Sequence, residues 1–169
     1  VLAGECVAAK PAAASWENKS YKGSETFTIV ENQNQSVQVT ANLSNAVTSI
    51  IFESTVPENF AEGFSLTIGL DPEDESTQLK YDAGKSGKEG YYIVSGLVEP
   101  SFFWTFSGTL LKDGSEFTKS GRIDGIEAGK LYKMSLKYTV TDGSLGLSLM
   151  VDESTDVFDD TIIFEPVST

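Results

Sequence analysis

Period-two alternation of apolar and polar residues recurs along this chain, and it limits the possible folds more than any other feature. A strand with one buried face places successive side chains on opposite sides. Val37, Val39, Ala41 and Leu43 share one face, with Gln38, Thr40 and Asn42 on the other. Phe64, Leu66, Ile68 and Leu70 repeat the arrangement, and so do Tyr132, Met134, Leu136, Tyr138 and Val140. Leu145, Leu147, Leu149 and Val151 follow directly. Apolar stripes of this kind need a second layer to cover them. The pattern therefore predicts an all-β fold, an antiparallel β-sandwich of immunoglobulin-like or transthyretin-like type with almost no helix.

Turn signals separate the stripes. Asp-Gly supplies the positive φ angles of tight primed turns, and Asp113-Gly114 and Asp142-Gly143 are the clearest cases. The first is expected to join strands at 102–111 and 116–123; the second joins the strand ending at Val140 to the one beginning at Leu145. With Gly129-Lys130 marking a further connection, 101–164 reads as a largely antiparallel meander. Upstream, strands are expected at 4–9, 26–30, 36–43, 47–54, 64–69 and 90–95. One helical turn is expected at 57–61, with Pro57 pre-setting φ at a first helical position. Polar loops fill 71–76 and 82–89. A chain of 169 residues suits one sandwich, or two small lobes with a break near 44–47.

Composition narrows the chemistry. There are 12 Lys and Arg against 25 Asp and Glu, a formal charge of -13, and such a field repels phosphate backbones and anionic lipid. Nucleic acid is not an expected partner. No apolar run reaches the roughly 18 residues needed to span a bilayer, so membrane insertion by this segment is not expected either. Histidine is absent, which removes the commonest general base and metal ligand. No phosphate-cradling glycine loop is present, and no cofactor is implied. Val1 is neither an initiator Met nor the start of a signal peptide, so a trimmed mature fragment is expected. Glu5 separates Gly4 from Cys6, unlike a lipidation box, and Cys6 reads as a strand residue.

Two acidic clusters are candidate calcium ligands: Asp71, Glu73, Asp74 and Glu75, and then Asp152, Glu153, Asp156, Asp159 and Asp160. Neither has EF-hand spacing, and the plainer reading is solvated loop charge. Paired carboxylates also leave glycoside hydrolysis as a third reading, without singling out a pair. Phe102, Trp104 and Phe106 share one face of a strand while Phe103 projects from the other. Phe103, Tyr91, Tyr92 and Trp16 are the candidate ligand surface, since planar aromatics on a β face can carry sugars. The competing assignment for the same residues is the core, where large aromatics are usual.

The order of these features resembles a known family. Gly4-Glu5-Cys6-Val7-Ala8-Ala9, Tyr21-Lys22-Gly23 before Phe27-Thr28-Ile29, and Leu43-Ser44-Asn45 before Val47 carry the first half. Gly90-Tyr91-Tyr92, Gly121 and Ile123, Gly129 and Tyr132, and Gly146-Leu147 running into Val151-Asp152 carry the second. The pattern resembles domain of unknown function 4493 of Bacteroidetes surface lipoproteins, itself distantly similar to fimbrillin and transthyretin-like sandwiches. The resemblance implies an exported, non-catalytic cell-surface module, a spacer or a recognition domain for a glycan or another protein. It supplies no catalytic or binding residues. A fimbrillin-like pilus subunit assembling by strand addition is the alternative. Glu5, Lys10 and Pro11 discourage pairing at the edge of a strand at 4–9, so a monomer is expected in dilute solution.

Overall fold

Phe102, Trp104 and Phe106 turn inward along one strand and are buried, while Phe103 and Thr105 alternate outward. The structure that places them is a computed structural model describing residues 11–152 and, for the backbone, 157–164. The expected strand at 4–9, with Cys6, lies outside the described residues, as do Glu153 and Asp156.

The described elements are β1 (Ala14–Ser15), β2 (Tyr21–Lys22), β3 (Gln35–Leu43), β4 (Asn45–Phe52), α1 (Thr55–Asn59), β5 (Ser65–Gly69), β6 (Gln78–Tyr81), β7 (Glu89–Ile93), β8 (Phe102–Thr109), β9 (Glu116–Ile123), β10 (Leu131–Thr139), β11 (Ser144–Asp152) and β12 (Val157–Phe164). They form three sheets. Sheet I has the order β1-β7-β4-β10-β11, sheet II the order β12-β3-β2, and sheet III the order β6-β5-β8-β9. From β4 to β11 the chain passes back and forth between sheets I and III, so the apolar stripes of the two sheets face each other, although the β11 stripe is covered only as far as Leu147. Tyr92 packs edge-on against Phe102, and Phe102 against Tyr132, with ring centroids 4.9 and 5.5 Å apart. Phe60, just after α1, meets Phe106 and Tyr138 at 5.0 Å each, closing one end of the core. The result is an all-β sandwich.

The expected meander from 101 to 164 is corrected. β8 and β9 pair as a hairpin in sheet III, but β10 pairs with β11 in sheet I and runs parallel to β4, and β12 crosses to β3. The physical reason is burial. A single meander would leave Phe102, Trp104 and Phe106 on the same layer as Tyr132, Met134 and Tyr138, whereas the crossover at 124–130 sets the two stripes face to face. Ile126, 2% exposed, fills the crossover and hangs from Pro100 O by its N–H at 3.2 Å.

The hairpin turns differ from expectation as well. Both Asp-Gly pairs end four-residue loops rather than two-residue primed turns. Only the glycines take positive φ, 70° at Gly114 and 66° at Gly143, a conformation they adopt without steric cost. Each aspartate instead caps the turn. The Asp113 carboxylate accepts from Ser115 N at 3.0 Å and Ser115 Oγ at 2.6 Å, and Asp142 does the same with Ser144.

Three further points depart from the sequence reading. The stretch 26–30 forms no strand, and Phe27, Ile29 and Val30 are 42, 73 and 42% exposed. β6 occupies four residues inside a polar region and was not anticipated. The short helix begins at Thr55, which puts Pro57 at its third position; no intrahelical N–H bond is needed there either. Near the anticipated break at 44–47, Ser44 alone separates β3 of sheet II from β4 of sheet I.

Candidate functional site

Strand pairing assembles the outer face of sheet III row by row. Phe103 lies opposite Gly69 on one side and Arg122 on the other, and Gly69 in turn lies opposite Gln78. The next row runs Lys80, Thr67, Thr105, Ser120, and the one after it Ser65, Ser107, Thr118. Because a strand alternates its side chains, all of these leave the sheet on the side opposite Trp104. The face is thus one aromatic ring set in a field of hydroxyls. Thr105 Oγ1 and Ser120 Oγ are 2.8 Å apart, and Thr109 Oγ1 donates to Glu116 Oε1 at 2.9 Å.

Phe103 is half-buried, and the guanidinium carbon of Arg122 lies 5.2 Å from its ring centroid. That arginine is fixed on its far side. Its Nη2 donates to Ser101 Oγ at 3.1 Å, its Nε pairs with Asp124, and Ser101 Oγ donates to Asp124 at 2.9 Å. A cation over an aromatic face adds roughly 0.5–1 kcal/mol at an exposed site. Thr67, Gly69, Pro72, Gln78, Phe103 and Thr105 line a shallow depression of about 250 Å³ beside the ring.

The other three aromatics singled out in the sequence do not join this face. Tyr92 is fully buried, with its hydroxyl donating to Ile68 O at 3.1 Å. Tyr91, 7% exposed, packs with Leu43 and Val47 where sheet II lies over sheet I, and its hydroxyl donates to Glu89 at 2.6 Å. For these two the core assignment holds, so both leave the candidate ligand surface. Trp16 is half-buried just after β1, the edge strand of sheet I. It meets Tyr81 edge-on at 4.8 Å, and Lys85 Nζ and Lys88 Nζ each lie 5.5 Å from its ring.

The acidic clusters resolve into local turn chemistry. Asp71 Oδ1 accepts from Glu73 N at 2.9 Å, and Asp74 Oδ1 from Ser76 N and Oγ at 3.0 and 2.6 Å. The Ser76 bonds hold the Asp74 carboxyl below the ordinary carboxylate range. In the second cluster Asp152 ends β11 and pairs with Lys133 Nζ at 3.1 Å, while Asp159 and Asp160 belong to β12 rather than to a loop. Among the described residues no group of three or more carboxylates, cysteines or histidines is arranged to hold a metal ion.

The described residues form other hollows as well. One of about 400 Å³ lies where sheets I and II meet, lined by Lys22, Asn42, Ser44, Ser95 and Gly129 among others. Another of about 440 Å³ crosses the outer face of sheet I between Ile51, Lys133, Ser148 and Met150. Residues 5–166 match the family described as domain of unknown function DUF4493. The chain belongs to this family. Searches of curated proteins and of solved structures find no match. The DUF4493 match covers the strands that build the Phe103 face, but its description assigns no chemistry to it.

Arg122, Gln78 and Gly69 were missed in the sequence because each reaches Phe103 from a different strand. Hairpin register was the available signal, and turn type decides it. A two-residue turn at Asp113-Gly114 would set Phe103 opposite Asp124. The four-residue loop sets it opposite Arg122 instead.

Proposed function

We propose that this DUF4493 domain is a non-catalytic recognition module of an exported Bacteroidetes surface lipoprotein, and that it holds a glycan on the outer face of sheet III. The carrying observation is Phe103, half-exposed on a hydroxyl-bearing sheet face with Arg122 anchored 5.2 Å from its ring. A pyranose presents C–H groups on one face and hydroxyls around its rim, which matches a flat ring bordered by polar donors and acceptors. The net charge of -13 favours a neutral glycan over a polyanionic one. The surface and lipoprotein placement is supported by the family resemblance alone.

The test is a glycan array followed by calorimetry on the hits, with wild type, Phe103→Ala and Arg122→Ala compared. Phe103→Ala is expected to lose binding by at least tenfold while keeping its melting temperature within a few degrees. Binding unaffected by either substitution would move the ligand to another surface. Turnover of a polysaccharide would replace recognition by hydrolysis.

A further inference from the structure

Among the described residues β11 is an edge strand of sheet I, paired along all nine of its residues with β10. A sheet edge presents unpaired N–H and C=O groups, and proteins blunt such edges by shortness, charge or proline. The other described edges carry these devices. β1 and β2 have two residues each, and β6 has four, including Lys80. β9 bears Glu116, Lys119 and Arg122, and the β12 sequence contains Asp159 and Asp160. β11 reads Ser-Leu-Gly-Leu-Ser-Leu-Met-Val-Asp, with its single charge at the last position; near its start Lys119 Nζ of β9 donates to Leu145 O, which leaves the length from Leu147 onward without such a cap. Leu149, Met150 and Val151 are 40, 64 and 43% exposed in succession.

We infer that β11 pairs with β11 of a second copy of this chain, antiparallel across a twofold axis at Ser148. The sequence of β11 is self-complementary in that register. Leu149 falls opposite Leu147 of the second copy and Val151 opposite its Leu145, whose carbonyl Lys119 releases on pairing; this extends the apolar inner face of sheet I and covers its two exposed members. On the outer face Met150 falls opposite Gly146 of the second copy. A Cβ at Gly146 would have no neighbour closer than Lys137 O at 4.0 Å, so there is room for the Met150 side chain. Asp152 falls opposite Ser144 rather than opposite itself, so no like charges meet. Shifting the register by one residue would put apolar against polar faces, and shifting it by two would shorten the ladder.

This contact is isologous and closes on itself, giving a dimer and not a filament. A single strand pair is small beside the roughly 1,200–2,000 Å² of a stable interface. The contact is therefore concentration-dependent, and the monomer expected in dilute solution is its dissociated form. Two chains of charge -13 repel, so salt that screens them favours pairing. The inference rests on β11 alone and is independent of the glycan reading.

Sedimentation equilibrium of the full chain over a wide concentration range, in low and in physiological salt, reads the mass. The expected result is monomer passing to dimer, with the dissociation constant falling several-fold as salt is raised. Register is read by oxidation of single-cysteine variants made in a Cys6→Ser background. Ser148→Cys, at the axis, is expected to give covalent dimer several-fold faster than Met150→Cys, which faces Gly146. Circular dichroism confirms the fold of each variant. Mass that stays monomeric throughout, mass that grows past dimer, or equal cross-linking at the two positions overturns the proposal.

Discussion

The phenol oxygen of Tyr81 lies 2.5 Å from Oγ1 of Thr48, so a side chain from sheet III is hydrogen-bonded to one from sheet I in the centre of the sandwich. The same phenol reaches Thr48 O at 3.2 Å. Tyr92 makes the reciprocal tie, from β7 of sheet I to Ile68 O of sheet III at 3.1 Å. Tyr81, Thr48 and Tyr92 are all fully buried. A buried polar group deprived of its partner costs about 1–3 kcal/mol, more than the net gain from the bond. Tyr81→Phe is expected to destabilise the fold by about that amount, and the Thr48→Val, Tyr81→Phe double variant by clearly less than the sum of the two singles. Urea denaturation of all four proteins measures it. Strict additivity would show that the two groups do not rely on each other.

Alkaline stability follows from the same pair. Burial, opposed in part by the Thr48 hydrogen bond, pushes the Tyr81 phenol up to about 12. Burial, with Tyr81 close by, sends Tyr92 well above its ordinary range too. An unfolded tyrosine titrates near 10. Between those values the unfolded chain gives up a proton that the folded chain keeps, so rising pH favours unfolding. The contribution is complete below about pH 10 and lost by about pH 12, on the order of 3 kcal/mol for Tyr81. The denaturation midpoint is expected to hold up to about pH 10 and fall steeply above it. Tyr81→Phe should flatten part of the fall. An equally steep fall in that variant would assign it to other groups.

Trp104 depends on a glycine. A Cβ at Gly121, its cross-strand partner, would stand 2.5 Å from Cζ2 and 2.7 Å from Nε1 of the indole. The ring thus lies directly on the β9 backbone, a common way of covering a glycine within a sheet. Gly121→Ala must push a buried ring aside, for which overpacking costs of roughly 1–3 kcal/mol are usual. Trp104→Ala empties the site, with an expected loss of about 3–5 kcal/mol. In the double variant the alanine methyl no longer meets an indole, so Gly121→Ala is expected to cost much less there. Thermal melts of the three variants decide this, and an unchanged midpoint for Trp104→Ala would mean that the ring is not part of the core.

Trp104 also shows what the sequence could convey. Its burial followed from two in-phase neighbours, Phe102 and Phe106, because alternation within a strand is a local property. The same reasoning set Phe103 on the opposite face. What surrounds Phe103 is not local: Gly69, Gln78 and Arg122 arrive through three strand pairings, and the identity of the facing residue turns on the length of the loop at Asp113-Gly114. The crossover between β9 and β10 was hidden for a similar reason, since two amphipathic hairpins carry the same pattern whether they lie side by side or face to face. Tyr91 and Tyr92 are adjacent and point to opposite faces of β7. Tyr92 is buried against sheet III, and Tyr91 is buried on the outer face of sheet I by Val47, Leu131 and, from sheet II, Leu43.

The start of the described chain is held by a side chain rather than by a ladder. β1 offers two residues to β7, with Ala14 opposite Tyr92 and Ser15 opposite Tyr91, and one further bond runs from Ile93 N to Ala13 O at 2.9 Å. So short a strand is weak by itself. Trp16 fixes it by laying its ring edge-on to Tyr81 and 5.5 Å from Nζ of both Lys85 and Lys88, while Lys88 Nζ also reaches Glu17 at 3.8 Å. Each cation over the ring adds about 0.5–1 kcal/mol at such a site, and the aromatic contact a similar amount. Removing them should release β1 locally without unfolding the sandwich, because the pairing of β7 with β4 does not depend on Trp16. Trp16→Ala is therefore expected to speed hydrogen exchange at the Ile93 amide by at least tenfold while leaving amides between β4 and β7 protected. The Lys85→Ala, Lys88→Ala pair should produce a smaller effect at the same amide. Exchange at Ile93 that does not respond to Trp16→Ala would mean that the two-residue ladder holds β1 without the ring.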